Sequence, residues 1–352
     1  MNIVINGDFF CRNLTGIERF AYETCKRLDK IIQKDSISIL IPANYKAEPV
    51  FENIKVIKSR YSCKIFPLWE HLALCSYILK NKALCLDFAN VTPFFAPGIV
   101  FIHDIYAKKF PEDFKSRKDR LIRLYMCIMY RHATRFAKKL VTVSNFSRSE
   151  ISYEYHVSAD KIDIIYNGCD HVASIKEDDS ILEKFPELKK GAFYFTLGSL
   201  QKRKNLRWIA EYAEKHPSEI FAISGKAISG MVSDDLKKLQ TLKNIILVGY
   251  VSDAQVKSLM KNCRAFVFPS YYEGFGIPPL EALACGAQII ISRAASLEEL
   301  YGNCAHYINP ENTDIELESL LKEPVESPEK VLEKYTYQKS AEKLKSLLEN
   351  FN

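Results

Sequence analysis

Two carboxylates eight positions apart, Glu273 and Glu281, frame the part of this chain with most chemistry in it. Between them lie Gly274-Phe275-Gly276 and then Pro278-Pro279. Glycines let a ligand approach backbone N–H groups closely, and proline is tolerated where a helix begins. The stretch reads as a buried strand at 265–268, a glycine loop, a helix that stops near Gly286, and a strand at 288–291. A helix N-terminus behind glycine-flanked amides is an anion site. As a hydrolytic acid/base pair the two carboxylates fail. A continuous helix would hold them about 12 Å apart, against the roughly 5 to 9.5 Å such pairs need, and the prolines break that helix. Carboxylates accept hydrogen bonds from vicinal sugar hydroxyls. A ligand with hydroxylated rings on both sides of a diphosphate suits them.

Other candidates also stand just beyond strands. Lys202-Arg203-Lys204 follows a strand at 192–197. Three consecutive cations repel unless solvent or an anion separates them; Arg grips phosphate oxygens bidentately and Lys supplies a point charge. His103 follows a strand at 99–102 and suits a sugar hydroxyl or a proton transfer, or else a structural role, with Asp104 as a cap or orienting partner. The loop Gly7–Gly16 follows the first strand, and Thr15-Gly16-Ile17-Glu18 fits a capping box. Ser147 to Glu150 fits a second one. Gly249-Tyr250-Val251 ends the strand at 245–248.

The elements that must position these residues alternate. Apolar strands are expected at 2–6, 37–41, 54–57, 83–86, 99–102, 140–143 and 162–165, then at 192–197, 219–223, 245–248, 265–268, 288–291 and 305–308, with helical patterns between. That alternation predicts doubly wound parallel sheets, whose ligands bind beyond the carboxyl ends of the strands. The 352 residues give room for two domains. The polar stretch 171–190 separates 1–170 from 191–335, and a last helix covers 336–352. Ten scattered cysteines without Cys-x2-Cys spacing, no secretory signal and no membrane-length apolar run fit a reducing cytoplasm. Net charge is +6, and residues 115–139 carry nine Lys or Arg against one Asp. With Leu121, Leu124, Tyr125, Ile128 and Met129 on one side, this is either a core helix with a basic outer face or an amphipathic helix for an anionic membrane surface. Nothing reads as a nucleic-acid-binding module.

The string EGFGIPPLEALACG with SLEEL, together with GSLQKRKNL, FIHDIYAKKF and NGDFFCRNLTGIERF, resembles the family-four retaining glycosyltransferases of the GT-B fold, most like the bacterial surface-polysaccharide type. The resemblance runs almost end to end. It implies two Rossmann-like domains facing across a cleft and a C-terminal helix returning to the first, acceptor-side domain. It implies a nucleoside-diphosphate sugar donor, with GDP-mannose as first choice, and no metal or other cofactor. The acceptor would be a glycan or lipid-linked glycan, with the enzyme cytoplasmic or peripheral on the inner face of the membrane. By this resemblance Glu273 and His103 contact the donor sugar, and Arg203 and Lys204 hold the diphosphate with the amides of Gly274, Phe275 and Gly276. Glu281 takes the ribose, Gly16 admits the phosphate or acceptor, and Tyr250 and Val251 flank the base. Lys202 is left as a bystander, and Ser199 stands where many members have Arg, which would lighten the phosphate clamp. A nucleotide-sugar epimerase, a phosphorylase, or a non-catalytic subunit of a polysaccharide assembly complex would share the fold.

Overall fold

In a computed structural model, which describes residues 2–14, 16–46, 49–198, 201–225 and 235–351, the chain forms two compact units. The first comprises residues 1–111, 120–168 and 335–352; the second comprises 112–119 and 169–334. Thr15 and Ser199 lie outside the described residues.

The first unit holds a seven-stranded parallel sheet in the order β3-β2-β1-β4-β5-β6-β7. The strands are β1 Ile3–Asn6, β2 Ile37–Ile41, β3 Lys55–Lys58, β4 Leu84–Asp87, β5 Ile99–Phe101, β6 Lys139–Thr142 and β7 Ile162–Ile164. β1, β2, β4 and β5 are buried along their whole length, as apolar runs covered by helices on both faces must be. β3 is at the edge, half exposed and closed by a lysine at each end. The last helix, Tyr337–Glu349, buries Tyr337, Ala341, Leu344, Leu347 and Leu348 in the same core as Phe20, Ala21 and Leu28 of the helix Ile17–Leu28.

The second unit holds a six-stranded parallel sheet in the order β10-β9-β8-β11-β12-β13. Its strands are β8 Phe193–Leu197, β9 Ile220–Ser224, β10 Ile245–Gly249, β11 Ala265–Phe268, β12 Ile289–Ser292 and β13 His306–Ile308. In each sheet the winding reverses once, between β1 and β4 and between β8 and β11. These reversal points are where α/β sheets open a crevice at the strands' carboxyl ends.

Four local expectations change. The cap of the helix Asn145–Tyr155 is Ser144, whose hydroxyl accepts from the Ser147 N–H at 3.0 Å, so Ser147 to Glu150 is helix interior. The helix Ile17–Leu28 has Gly16 as its N-cap, with no side-chain cap. The stretch 171–190 is packed rather than free: Lys257 Nζ donates to the Val172 and Ile175 carbonyls at 2.9 and 2.6 Å, and Ile181 is buried. On the basic helix Arg117–Phe136, Met129 is buried, but Leu121, Leu124 and Ile128 are exposed and form no core face. No helix among the described residues is long and apolar enough to cross a membrane.

Candidate active site

At the reversal point of the second sheet, the turn after β8 meets the loop after β11. Lys202–Lys204 form one 3-10 turn, ended by Asn205 in the left-handed region (φ 54°), where asparagine is tolerated better than most residues. The Asn205 amide donates to the carbonyls of Pro269 at 3.0 Å and Pro310 at 2.8 Å, tying this turn to the loops beyond β11 and β13. A backbone bond from the Tyr271 N–H to the Arg203 carbonyl (3.1 Å) completes the seam.

Two of the three cations here share Glu273, and the third pairs with Asp113. Lys204 Nζ lies 2.7 Å from Glu273 Oε1 and 4.8 Å above the Phe268 ring centre. Arg203 donates from Nε to Gln201 at 3.0 Å and places Nη1 3.7 Å from Glu273 Oε2. Lys202 pairs with another carboxylate: its Nζ lies 2.6 Å from Asp113 Oδ1. Glu273 itself is buried. Burial pushes its pKa up, but Lys204 and then Arg203 outweigh that and hold the carboxyl below its ordinary value. It is therefore a carboxylate at neutral pH, and Lys204 and Arg203 exceed it by one positive charge.

The loop carrying Glu273 is fixed from its carbonyl side. Ser296 Oγ donates to the Glu273 carbonyl at 2.9 Å and the Tyr301 hydroxyl donates to that of Gly276. Gly276 caps the helix Ile277–Ala284 with φ 81°, and a Cβ there would come within 2.6 Å of Leu297 Cδ2. The left-handed φ favours glycine, and the leucine tip would have to shift for any larger residue. Pro278 and Pro279 occupy the first turn, so Glu281 falls in the second turn rather than the first. Its Oε1 lies 3.1 Å from Nε2 of buried His171. Phe275 is buried and packs; Val251 is buried beside exposed Tyr250. Thr196, Gly198, Lys204, Ser224 and Phe268 line a small cavity, about 10 Å³, at the ends of β8, β9 and β11.

The first unit holds the remaining expected residues. Gly16 has φ 47° and nothing within 4 Å of where a Cβ would stand. His103 is buried beyond β5; its N–H donates to Asn90 Oδ1 at 2.7 Å, and Nε2 donates to the Phe88 carbonyl at 2.8 Å. A carbonyl only accepts, so Nε2 carries the proton and Nδ1 is the acceptor. Burial lowers the pKa of this histidine to about 4, so it is neutral near pH 7. Asp104 caps locally, accepting from the Tyr106 N–H at 3.0 Å.

Several residues were not singled out from the sequence. Asp113 and His171 are two of them. Around the first sheet's reversal point, Asp8, Glu70 and Asp87 are all buried, and Arg12 Nη2 lies 2.6 Å from Asp8 Oδ2. Glu70 is delivered by a single wider, π-type turn, Trp69–Leu74, and accepts from the Tyr125 hydroxyl at 3.0 Å. Burial raises the pKa of Asp87 to about 7. The sequence signal was a carboxylate closing the apolar run LCLD. Among the described residues, His216, Glu219 and Glu316 bring potential metal-ligand atoms within 4.8 Å of one another. They lie at the amino end of β9, opposite the basic turn, and take no part in it.

The comparisons agree with this architecture. The family model "Glycosyl transferases group 1" matches residues 177–350, and "Glycosyltransferase Family 4" matches residues 14–172. O-antigen chain mannosyltransferase B of Escherichia coli is 29% identical over 327 residues, covering 86% of this chain and 84% of the relative. O-antigen chain mannosyltransferase RfbU of Salmonella typhimurium is 25% identical over 241 residues, covering 66% and 62%. The Anabaena protein Alr3699/HepE, solved in complex with UDP and glucose, superposes with a TM-score of 0.72 over 99% of both chains at 18% identity. The chain belongs to the family-four glycosyltransferases of the GT-B fold.

Proposed function

We propose that this glycosyltransferase moves a hexosyl group, with retention of configuration, from a nucleoside-diphosphate sugar to a hydroxyl of a growing, lipid-linked glycan in bacterial surface-polysaccharide synthesis. The observation that carries the reading is the Arg203–Lys204–Glu273 cluster at the reversal point of the second sheet, in front of a glycine-capped helix start. In the reaction the bond from C1 of the sugar to the diphosphate breaks and its electron pair leaves with the phosphate oxygen. The acceptor oxygen bonds to C1, and its proton passes to the departing phosphate. Arg203, Lys204 and the amides of Gly274 to Gly276 stabilise the charge that grows on the diphosphate, the kind of preorganised electrostatics that usually dominates catalysis. They supply that charge themselves, so we expect turnover to survive chelation of divalent cations. Glu273 accepts from donor-sugar hydroxyls and Glu281 from the ribose. His103 accepts a hydroxyl through Nδ1. Tyr250 offers its exposed ring to the base.

Both relatives named above are mannosyltransferases by name, which supports GDP-mannose as the donor. Calorimetric titration with GDP, UDP and TDP tests the reading. GDP is expected to bind most tightly, and Lys204→Ala to weaken it about ten- to a hundredfold, the cost of one charge-assisted contact. No binding by any diphosphate, or an unaffected Lys204→Ala, contradicts it.

The exposed side of the basic helix favours peripheral attachment to an anionic inner membrane face. Leu121, Leu124 and Ile128 are 68%, 56% and 46% exposed. Beside them His71, Phe94, His132 and Phe136 form a run of ring contacts. Co-sedimentation with phosphatidylglycerol vesicles, weakened in Leu121→Gln/Leu124→Gln, is expected. Equal binding to neutral vesicles contradicts the basic component.

A further inference from the structure

One carboxylate of the second unit has no part in the reaction above, yet it holds the two loops that do. Asp113 ends a 3-10 turn, Pro111–Asp113, in the short segment 112–119 that belongs to the second unit while the chain on both sides of it belongs to the first. The segment is built. Phe114 is buried, and Ser116 and Asp119 exchange bonds of 3.2 and 3.0 Å at the start of the basic helix. The Asp113 side chain is 3% exposed, and burial of a carboxylate is costly unless donors meet it. Both its oxygens are met. Lys202 Nζ donates to Oδ1 at 2.6 Å and the Tyr271 hydroxyl donates to Oδ2.

Those donors are not arbitrary neighbours. Lys202 immediately precedes Arg203, and Tyr271 stands two residues before Glu273. Tyr271 also gives its N–H to the Arg203 carbonyl, and Lys204 closes on Glu273. The contacts form a ring: Asp113, the basic turn, Glu273, Tyr271 and back to Asp113. The other bonds in that ring join the two loops to each other, whereas Asp113 grips both from outside.

We propose that Asp113 is a positioning residue, whose buried carboxylate clasps the basic turn to the Glu273 loop and so fixes where Arg203, Lys204 and Glu273 meet the donor. This rests on the function proposed above, but its structural half does not need a ligand. It also gives Lys202 a role: anchoring the turn so that the two cations after it face the anion.

Amide hydrogen exchange on the full chain, followed by nucleotide titration, tests the clasp. Asp113→Ala is expected to speed exchange about tenfold or more in peptides covering 201–205 and 270–274, with β8 and β11 unchanged. GDP and UDP affinity should fall about ten- to a hundredfold, since two bonds to a charged group are lost. Asp113→Asn, which keeps an acceptor for Tyr271, should fall between. Lys202→Met/Tyr271→Phe should reproduce Asp113→Ala and add nothing to it in the triple variant, as expected of groups acting through one contact. If Asp113→Ala does not fold, the Lys202 and Tyr271 variants carry the same test. Wild-type exchange in both peptides, or full additivity in the triple variant, overturns the proposal. If the wild-type chain binds neither nucleotide, the functional reading fails, and the exchange data still decide the clasp.

Discussion

Replacing Glu273 by glutamine should separate binding of the leaving group from transfer of the sugar. In the folded chain Glu273 is one negative charge facing two positive ones, with Lys204 at 2.7 Å and Arg203 at 3.7 Å. Glutamine keeps the shape and removes the charge. Two consequences follow with opposite signs. Breaking one side of a buried ion pair costs about 3–5 kcal/mol, which lowers the melting temperature by about 6–20 °C for a unit of this size. The cations left behind, however, offer a bound diphosphate two uncompensated charges instead of one. A unit charge about 4 Å away at an effective dielectric near 20 contributes at most about 4 kcal/mol. Solvent at Lys204, whose side chain is 12% exposed, reduces that. GDP affinity is therefore expected to rise about tenfold, and GDP should recover part of the lost melting temperature. Turnover of GDP-mannose should fall about ten- to a hundredfold, because the sugar loses a charged acceptor. Calorimetric titration and a coupled assay of diphosphate release read the two effects separately. GDP affinity that falls in step with turnover would refute the charge assignment; unchanged turnover would refute the role of Glu273.

Three further outcomes are expected. His171→Ala leaves Glu281 without its 3.1 Å partner, and the donor KM should rise about tenfold with kcat little changed, read from initial rates. Gly276→Ala forces a side chain into φ 81° and against Leu297; scanning calorimetry should show unfolding about 2–8 °C lower, and Leu297→Ala should not restore it. Asp87 has its pKa raised by burial to about 7, so the protonated form is favoured by folding. Its contribution is present below the ordinary carboxylate range and is lost as pH rises through 7. Asp87→Asn should match the wild type near pH 4 and exceed it in stability at pH 8, by denaturant titration at both pH values. Equal pH dependence would count against it.

Much of the architecture was legible because parallel strands covered on both faces must be apolar along their length. LCLD, AFVF and FYFTL all read that way, and the expected strands fall within one or two residues of the observed ones. The glycine loop was legible for a different reason: Gly276 and the prolines behind it dictate backbone shape locally. Contacts made across the chain were not. Asp113 meets Lys202 across 89 positions and Tyr271 across 158, and no pattern near Asp113 announces either partner. His171 lay in a polar stretch that composition alone marks as linker, although it packs on Glu281. On the basic helix, periodicity identified an apolar side but could not say whether protein covered it.

A crystal structure of the full chain with GDP or GDP-mannose bound tests the central claim most directly. The account predicts the diphosphate within hydrogen-bonding distance of Arg203 or Lys204 and of the amides at Gly274 to Gly276, with Glu273 turned to the sugar. A diphosphate seated away from residues 203–204 and 274–276 would contradict it.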